Sequence, residues 1–259
     1  MKNQIKRIAK IGYFSKGVVY ALTGFLAFGA AFGLGGKAQG KMGVLAFLKE
    51  QSFGNVLLGL IGTGLICYAF WRFFQSIKDP ENIGSDTSGL GKRIGFFLSG
   101  LLYFSLGIYA FYTILGQSGN GAGNSSFIPS EITEYVFYAI GIGLVLKAIF
   151  QFKKAYKGDF IKKFDSSSLS KRNIRKAIKN FGYAGLIARG IVVAIISYFF
   201  LRAASTAGSL QSASGTQEAF DFLGQNSEGP WLVGIVALGL ICYGIFMFMM
   251  AKYRAFDTT

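Results

Sequence analysis

The sequence predicts an all-α membrane protein: six transmembrane helices, arranged as three parallel two-helix repeats around a pseudo-threefold axis. Three observations lead there. Long charge-free runs recur along the chain, the charges between them fall in blocks, and short motifs return at the spacing of one helix pair. Composition agrees, since 52% of the 259 residues are hydrophobic, 15% are charged and Gly numbers 36. A soluble domain of this length needs more polar surface to cover its core. Gly and aromatic enrichment with few charges is the membrane pattern.

A helix needs about 20 apolar residues to cross a hydrocarbon core about 30 Å thick. Gly17–Gly36 supplies the first span, at 17–36, behind a basic segment. The run is too long for a secretory signal core of about 7–15 residues. It also recurs later in the chain, so a retained helix is expected. Gln51–Trp71 gives the second span, at 54–74, and Ile94–Ser130 the third, at 94–115. Ile132–Phe152 is the fourth, with Glu134 near one end and Lys147 near the other. Ala184–Ala204 is the fifth, carrying Arg189 and Arg202. These arginines lie about 20 Å apart along a helix, far enough to snorkel to opposite interfaces. Gly229–Ala251 supplies the sixth, at 230–250.

The connections set the orientation. The N-terminal tail, the 2–3 and 4–5 loops and the C-terminal tail hold 22 of the 27 Lys and Arg, counting Lys16, Arg72 and Arg189 as inner flanks. The other side holds Lys37, Lys41, Lys49 and Arg202. Positive charge marks the cytoplasmic side, so both termini are expected there. On the outer side, Val44–Glu50 and Glu218–Leu223 mix apolar and polar residues like short helices resting in the interface. On the inner side, Asn3–Ile11 and Ser170–Phe181 read as basic amphipathic helices against the anionic leaflet. The Gly-rich run Gly116–Gly123 lacks the context of a phosphate loop and reads as a flexible turn.

The motifs repeat. Ile11–Gly24 and Ile94–Gly107 align without gaps, matching Gly12/Gly95, Gly17/Gly100, Tyr20/Tyr103 and Gly24/Gly107. A looser third copy starts at Ala188 and puts Arg189 and Gly190 at the Lys16 and Gly17 positions, while Gly182-Tyr183 echoes Gly12-Tyr13 with a three-residue offset. The even helices repeat as well: Gly64–Tyr68 and Gly239–Tyr243 both read GLICY, with Gly143–Lys147 between them. Tyr68, Lys147 and Tyr243 therefore share one position. Boundaries follow at 8–76, 91–155 and 171–251, with a basic, Ser-rich cytoplasmic linker at 156–170. Parallel two-helix repeats imply an axis along the membrane normal.

With its opening Gly12–Tyr20, GYFSKGVVY, and its closing Gly64–Arg72, GLICYAFWR, the chain resembles the bacterial membrane family known as domain of unknown function 1206. The resemblance runs from about Ile8 to Met250. The middle copy departs from it with Lys147 and Gln151 for the motif's Tyr and Arg, and the third with Met247 for the Arg. It implies three tandem two-helix copies in a bacterial cytoplasmic (inner) membrane and no particular activity.

The chemistry-bearing residues narrow the function. There is no His, the commonest general acid/base and metal ligand. Cys67 and Cys242 both sit in apolar runs and build neither a disulfide framework nor a zinc site. Ser125-Ser126 and Ser166–Ser168 have no evident base partner. No catalytic, metal or cofactor site is expected, and no enzyme. A net charge of +15 lying in blocks between spans, without a base-stacking module, argues against nucleic acid. The polar residues within the spans are the better lead. Lys16, Lys147 and Arg189, with Tyr68 and Tyr243, form a candidate basic and phenolic ring for anions or lipid head groups. The expected function is a non-enzymatic bundle that binds anionic lipid of the cytoplasmic leaflet, or a protein partner, at its cytoplasmic face. The alternative is a passive channel or carrier for a small anion. Small residues spaced four apart, among them Gly17/Ala21, Gly95/Ser99 and Ala139/Gly143, are expected to let helices pack closely.

Overall fold

The computed structural model describes residues 2–34, 40–116, 130–165, 169–205, 220, 223–224 and 229–255. The first charge-free run belongs to α1, Lys2–Ala31, a helix without Pro that starts in the basic tail. Gly33 ends it at φ +65°, a left-handed turn that lets the Leu34 amide cap the Gly29 carbonyl at 2.9 Å. A short helix, α2 (Lys41–Lys49), leads into α3 (Gly54–Lys78). At the far end the Asp79 carboxylate accepts the Ile83 and Gly84 amides, turning the chain. Asp86 then caps α4 (Thr87–Ile114) by accepting from the Gly89 amide. The remaining helices are α5 (Ser130–Lys157), α6 (Arg172–Ser205) and α7 (Gly229–Tyr253), with a 3-10 turn at Asp159–Lys163. Five of these, α1, α3, α4, α6 and α7, contain stretches long and apolar enough to cross a membrane. The fourth expected span lies in α5, which is 28 residues long but is not one of the five.

Packing follows a simple order. α1 lies against α7 and α3, α3 against α4, α6 against α7, and α5 against α6. One contact recurs at three of these seams. Phe248 of α7 sits over Gly17 of α1, Phe73 of α3 over Gly100 of α4, and Phe152 of α5 over Gly190 of α6. A Cβ on any of these glycines would meet the ring at 2.6–2.9 Å. Each Phe stands five residues after the shared Tyr68/Lys147/Tyr243 position, and each Gly follows the Lys16 or Arg189 position or its Ser99 counterpart. Gly17 of the small-residue pairs thus serves internal packing, whereas a Cβ on Gly95 or Gly143 would meet nothing within 4 Å.

Three expectations change. The apolar face of α2 is covered by protein. Val44 and Leu45 are fully buried, and the helix touches α1, α3 and α4. Phe220, ahead of α7, is buried too. α2, Phe220 and Leu223 pack apolar side chains into the bundle, which removes that surface from water. The basic segments Asn3–Ile11 and Ser170–Phe181 are not separate helices. α1 and α6 run unbroken through them, with Ile178 buried and Arg172, Arg175 and Lys176 exposed. Finally, the three-residue offset of Gly182-Tyr183 disappears. Gly185 takes the place of Gly12, since a Cβ on Gly12 meets the Tyr68 backbone at 2.5 Å and one on Gly185 meets the Tyr243 backbone at 2.5 Å.

The linker folds back under the bundle. Phe160 packs edge-on against Tyr183 and Phe246. Asp165 donates its amide to the Tyr253 carbonyl and Ala255 to the Lys163 carbonyl, both at 3.1 Å. The expected turn at 116–123 lies outside the described residues apart from Gly116.

Candidate functional site

Lys16 falls midway along α1, where the helix is pressed against both α3 and α7. Its side chain cannot snorkel from there, and the residue is 1% exposed. Instead the ammonium donates to the Tyr68 hydroxyl at 2.8 Å. Four phenol rings surround it, those of Tyr68, Tyr103, Tyr243 and Tyr20, with centroids at 4.5, 4.9, 5.6 and 5.8 Å. Each is within cation–π range. The rings come from α3, α4, α7 and α1, so the cage joins four helices. Tyr68 stands edge-on to Tyr103 and Tyr20 edge-on to Tyr243, each at 4.7 Å. Tyr103 donates to the Tyr20 hydroxyl at 3.2 Å.

The repeat relation holds at the level of bonds. As Lys16 donates to Tyr68, so Arg189 donates to Tyr243, at 3.0 Å. Arg189 also donates to the Gln151 carbonyl oxygen at 3.3 Å. In the middle copy the charge has changed helices. Ser99 stands where Lys16 and Arg189 stand, and Lys147 replaces the tyrosine. Each copy thus carries one of these cations, Lys16 buried, Arg189 half-buried and Lys147 exposed. Lys147 interacts electrostatically with Arg189, Tyr20, Lys41 and Arg72. All five residues singled out from the sequence, Lys16, Tyr68, Lys147, Arg189 and Tyr243, share this neighbourhood.

Sequence reasoning missed several members. Arg72, counted only as a flank, lies one turn beyond Tyr68 on the same helix face and donates to its hydroxyl at 2.7 Å. Tyr20 and Tyr103 had a visible signal as a matched pair between copies, but their role appears only in three dimensions. Lys41, at the start of α2, reaches the Tyr20 ring at 5.4 Å.

A hydrogen-bonded file leads away from this centre. Arg72 donates to Gln75 at 2.9 Å, and Gln75 to Glu81 at 2.6 Å. Glu81 also accepts from Lys163 at 2.5 Å and from Arg254, which in turn donates to the Tyr13 hydroxyl. Burial would raise the Glu81 carboxyl, but Lys163 and Arg254 override it and hold it down to about 2. A cavity of about 200 Å³ opens beside this knot, lined by Trp71, Glu81, Lys162, Lys163, Arg254 and Ala255.

The charge balance of the centre is one-sided. Among the described residues the carboxylates lie between the helices, in the 3-10 turn or at the start of α5. The ion pairs among the described residues join Glu81 and Asp159 to Lys162, Lys163 and Arg254, and none reaches Lys16, Arg72, Lys147 or Arg189. Two donors there are buried without an acceptor, Arg189 Nε and Gln151 Nε2. Four cations, phenolic hydroxyls and idle N–H groups can bind an anion.

A family model described as Domain of Unknown Function (DUF1206) matches residues 11–79 and 184–254. The chain belongs to this family. The two matched stretches of this DUF1206 protein hold the helix pairs α1/α3 and α6/α7, the copies in which Lys16 meets Tyr68 and Arg189 meets Tyr243. It is similar to the uncharacterized protein YxxB of Bacillus subtilis (strain 168), at 36% identity over 257 residues, covering 98% of this chain and 92% of that protein. No solved structure matches the chain.

Proposed function

We propose that this DUF1206 chain is a six-helix bundle of the bacterial cytoplasmic membrane, with both termini in the cytoplasm, and that its centre binds an anion. The three copies then surround a pseudo-threefold axis, with α5 as the sixth span. That arrangement is supported by the Phe–Gly contact repeated at three seams and by the length of α5, about 42 Å at 1.5 Å per residue. The orientation rests on the 22 inner Lys and Arg against four outer ones.

The observation that carries the function is the cluster of Lys16, Arg72, Lys147 and Arg189 among tyrosines, while the one carboxylate within a span, Glu134, lies near the opposite end of α5 from Lys147. A cation at the centre of a membrane helix costs about 2.5–3.5 kcal/mol even where relaxation is allowed. Phenols recover part of that through cation–π contact, but supply no negative charge. An inorganic anion or an anionic head group does. With no His in the spans and Glu134, near one end of α5, their one carboxylate, the reading is of passive movement of the anion.

A second reading is a scaffold that holds anionic lipid or an acidic protein partner at the cytoplasmic face. It is favoured by the exposed Arg172, Arg175 and Lys176 at the start of α6. Anion flux from liposomes separates the two. Leak of a small anion that Lys147→Ala abolishes supports a central path. A tight protein that carries acidic phospholipid on its basic tail, and whose stability ignores added phosphate, supports the scaffold and removes the central site. A cysteine replacing Lys171, labelled from outside intact cells, would overturn the orientation.

A further inference from the structure

The three copies are not equally closed. In the first, α1 and α3 meet closely, Gly12 against the Tyr68 backbone and Gly64 against the Ser15 side chain. In the third, α6 and α7 meet in the same way through Gly185 against Tyr243 and Gly239 against Ala188. The middle copy keeps both glycines, Gly95 and Gly143, yet a Cβ on either meets nothing within 4 Å. Among the described residues α4 and α5 are not a packed pair.

The faces confirm the opening. Ser15 and Val19, like Ala188 and Val192, are all buried, whereas their counterparts Leu98 and Leu102 are 54% and 58% exposed. Opposite them, Tyr68 and Trp71, or Tyr243 and Phe246, are buried, while Lys147 and Phe150 are exposed. A crevice therefore runs between α4 and α5. Its walls are apolar, formed by Leu98, Leu102, Ile140 and Phe150. At its base stands Lys147, with Gln151 one turn along the same helix and Arg189 beyond.

We infer that this crevice is the entrance to the centre from the lipid phase, and that its ligand is an acidic phospholipid of the inner leaflet. The inference rests on the central anion-binding reading and names the ligand class. Three observations select an amphiphilic anion. The walls offer hydrocarbon contact along the helices, which a small inorganic ion does not use. The base offers an ammonium with no carboxylate partner. Beside it lie two donors without acceptors, the buried Gln151 Nε2 and Arg189 Nε, which suit phosphate oxygens. A second copy of the chain fits less well, because the one carboxylate within its spans, Glu134, lies near the opposite end of α5 from the Lys147 position. In chain order Lys147 and Gln151 lie toward the basic side of α5, while Leu102 and Ile140 lie deeper. The head group then sits at the inner half and the acyl chain points to the middle of the membrane.

The test uses the full chain in phosphatidylcholine vesicles carrying a trace of tail-spin-labelled phosphatidylglycerol or phosphatidylcholine. The expected result is a motionally restricted phosphatidylglycerol population that the phosphatidylcholine label does not show. Lys147→Ala should weaken that preference by about tenfold, the loss of one charge-assisted contact. Gly143→Trp adds bulk where a Cβ meets nothing within 4 Å and leaves every cation in place; it should remove the restricted population while leaving phosphate-dependent thermal stabilisation intact. Gly143→Ala should change neither. If phosphate stabilises the protein but both lipid labels behave alike, or phosphatidylglycerol stays restricted in Gly143→Trp, the entrance is wrong and the central site stands. If neither phosphate nor phosphatidylglycerol binds, the central site falls as well. Cross-linking of two chains through Leu98 and Phe150 positions in vesicles would make the crevice a subunit interface and overturn the inference.

Discussion

Replacing Glu81 with Gln tests whether one carboxylate ties together the end of the bundle where α3, the 3-10 turn and the residues after α7 meet. Glu81 sits between α3 and α4 and accepts from Lys163 of the 3-10 turn, from Arg254 after α7 and from Gln75 of α3. Its carboxyl is held from 4.5 to about 2 in the folded protein, burial being outweighed by the two cations. A depressed acid stabilises the fold above its unfolded value and loses that contribution as the pH falls through its folded value. The shift, roughly 2.5 pH units at about 1.4 kcal/mol each, corresponds to about 3 kcal/mol. Glu81→Gln forfeits it at neutral pH and leaves Lys163 and Arg254 facing each other. The expected drop in Tm is roughly 6–12 °C for a chain of this size. Thermal unfolding in detergent, followed from about pH 7 down to about pH 3, reads it. The wild-type curve should fall toward the variant's as the pH drops, closing most of the gap. Asp79, whose carboxyl is also lowered by the Ile83 and Gly84 amides, titrates in both proteins and cancels in the difference. A variant that melts with the wild type at neutral pH, or a gap that does not narrow with acid, refutes the reasoning.

Two further outcomes follow from the same geometry. Lys16→Met removes one of four mutually repelling cations while keeping the shape, so it should raise Tm in anion-poor buffer by up to a few kcal/mol of stability and blunt the response to phosphate; a lower Tm in such buffer would mean the Lys16–Tyr68 bond outweighs the buried charge. Gly12→Ala drives a Cβ into the Tyr68 backbone and should cost about 1–3 kcal/mol, whereas Gly95→Ala meets open space and should be neutral or gain up to about 1 kcal/mol of helix propensity. Paired melting curves check both, and equal losses would contradict the open middle copy.

Much of the framework was legible in the sequence because membrane helices write themselves as charge-free runs and duplicated units keep their close-packing glycines. Gly17, Gly100 and Gly190 were visible as markers and are the seats of Phe248, Phe73 and Phe152. The five polar residues were found because a charge or phenol inside an apolar run is conspicuous. Arg72 was not, since it lies at the end of its run and resembles an ordinary flank. Only its place four residues after Tyr68 hinted at a shared partner. Glu81 carried no signal, because its partners Lys163 and Arg254 are far away in the chain. α2 was placed in the interface because a nine-residue amphipathic pattern does not say whether lipid or protein covers its apolar side. The opening between α4 and α5 was hidden most completely, for Gly95 and Gly143 keep the residue type of a closed contact they do not make.

An experimental density map of the protein in phosphatidylglycerol-containing nanodiscs tests the central claim most directly. The expected result is density for a phosphate group within hydrogen-bond distance of Lys147 Nζ, Gln151 Nε2 and Arg189 Nε. A well-ordered map in which that space holds nothing, or in which Lys147 pairs with a carboxylate, would contradict it.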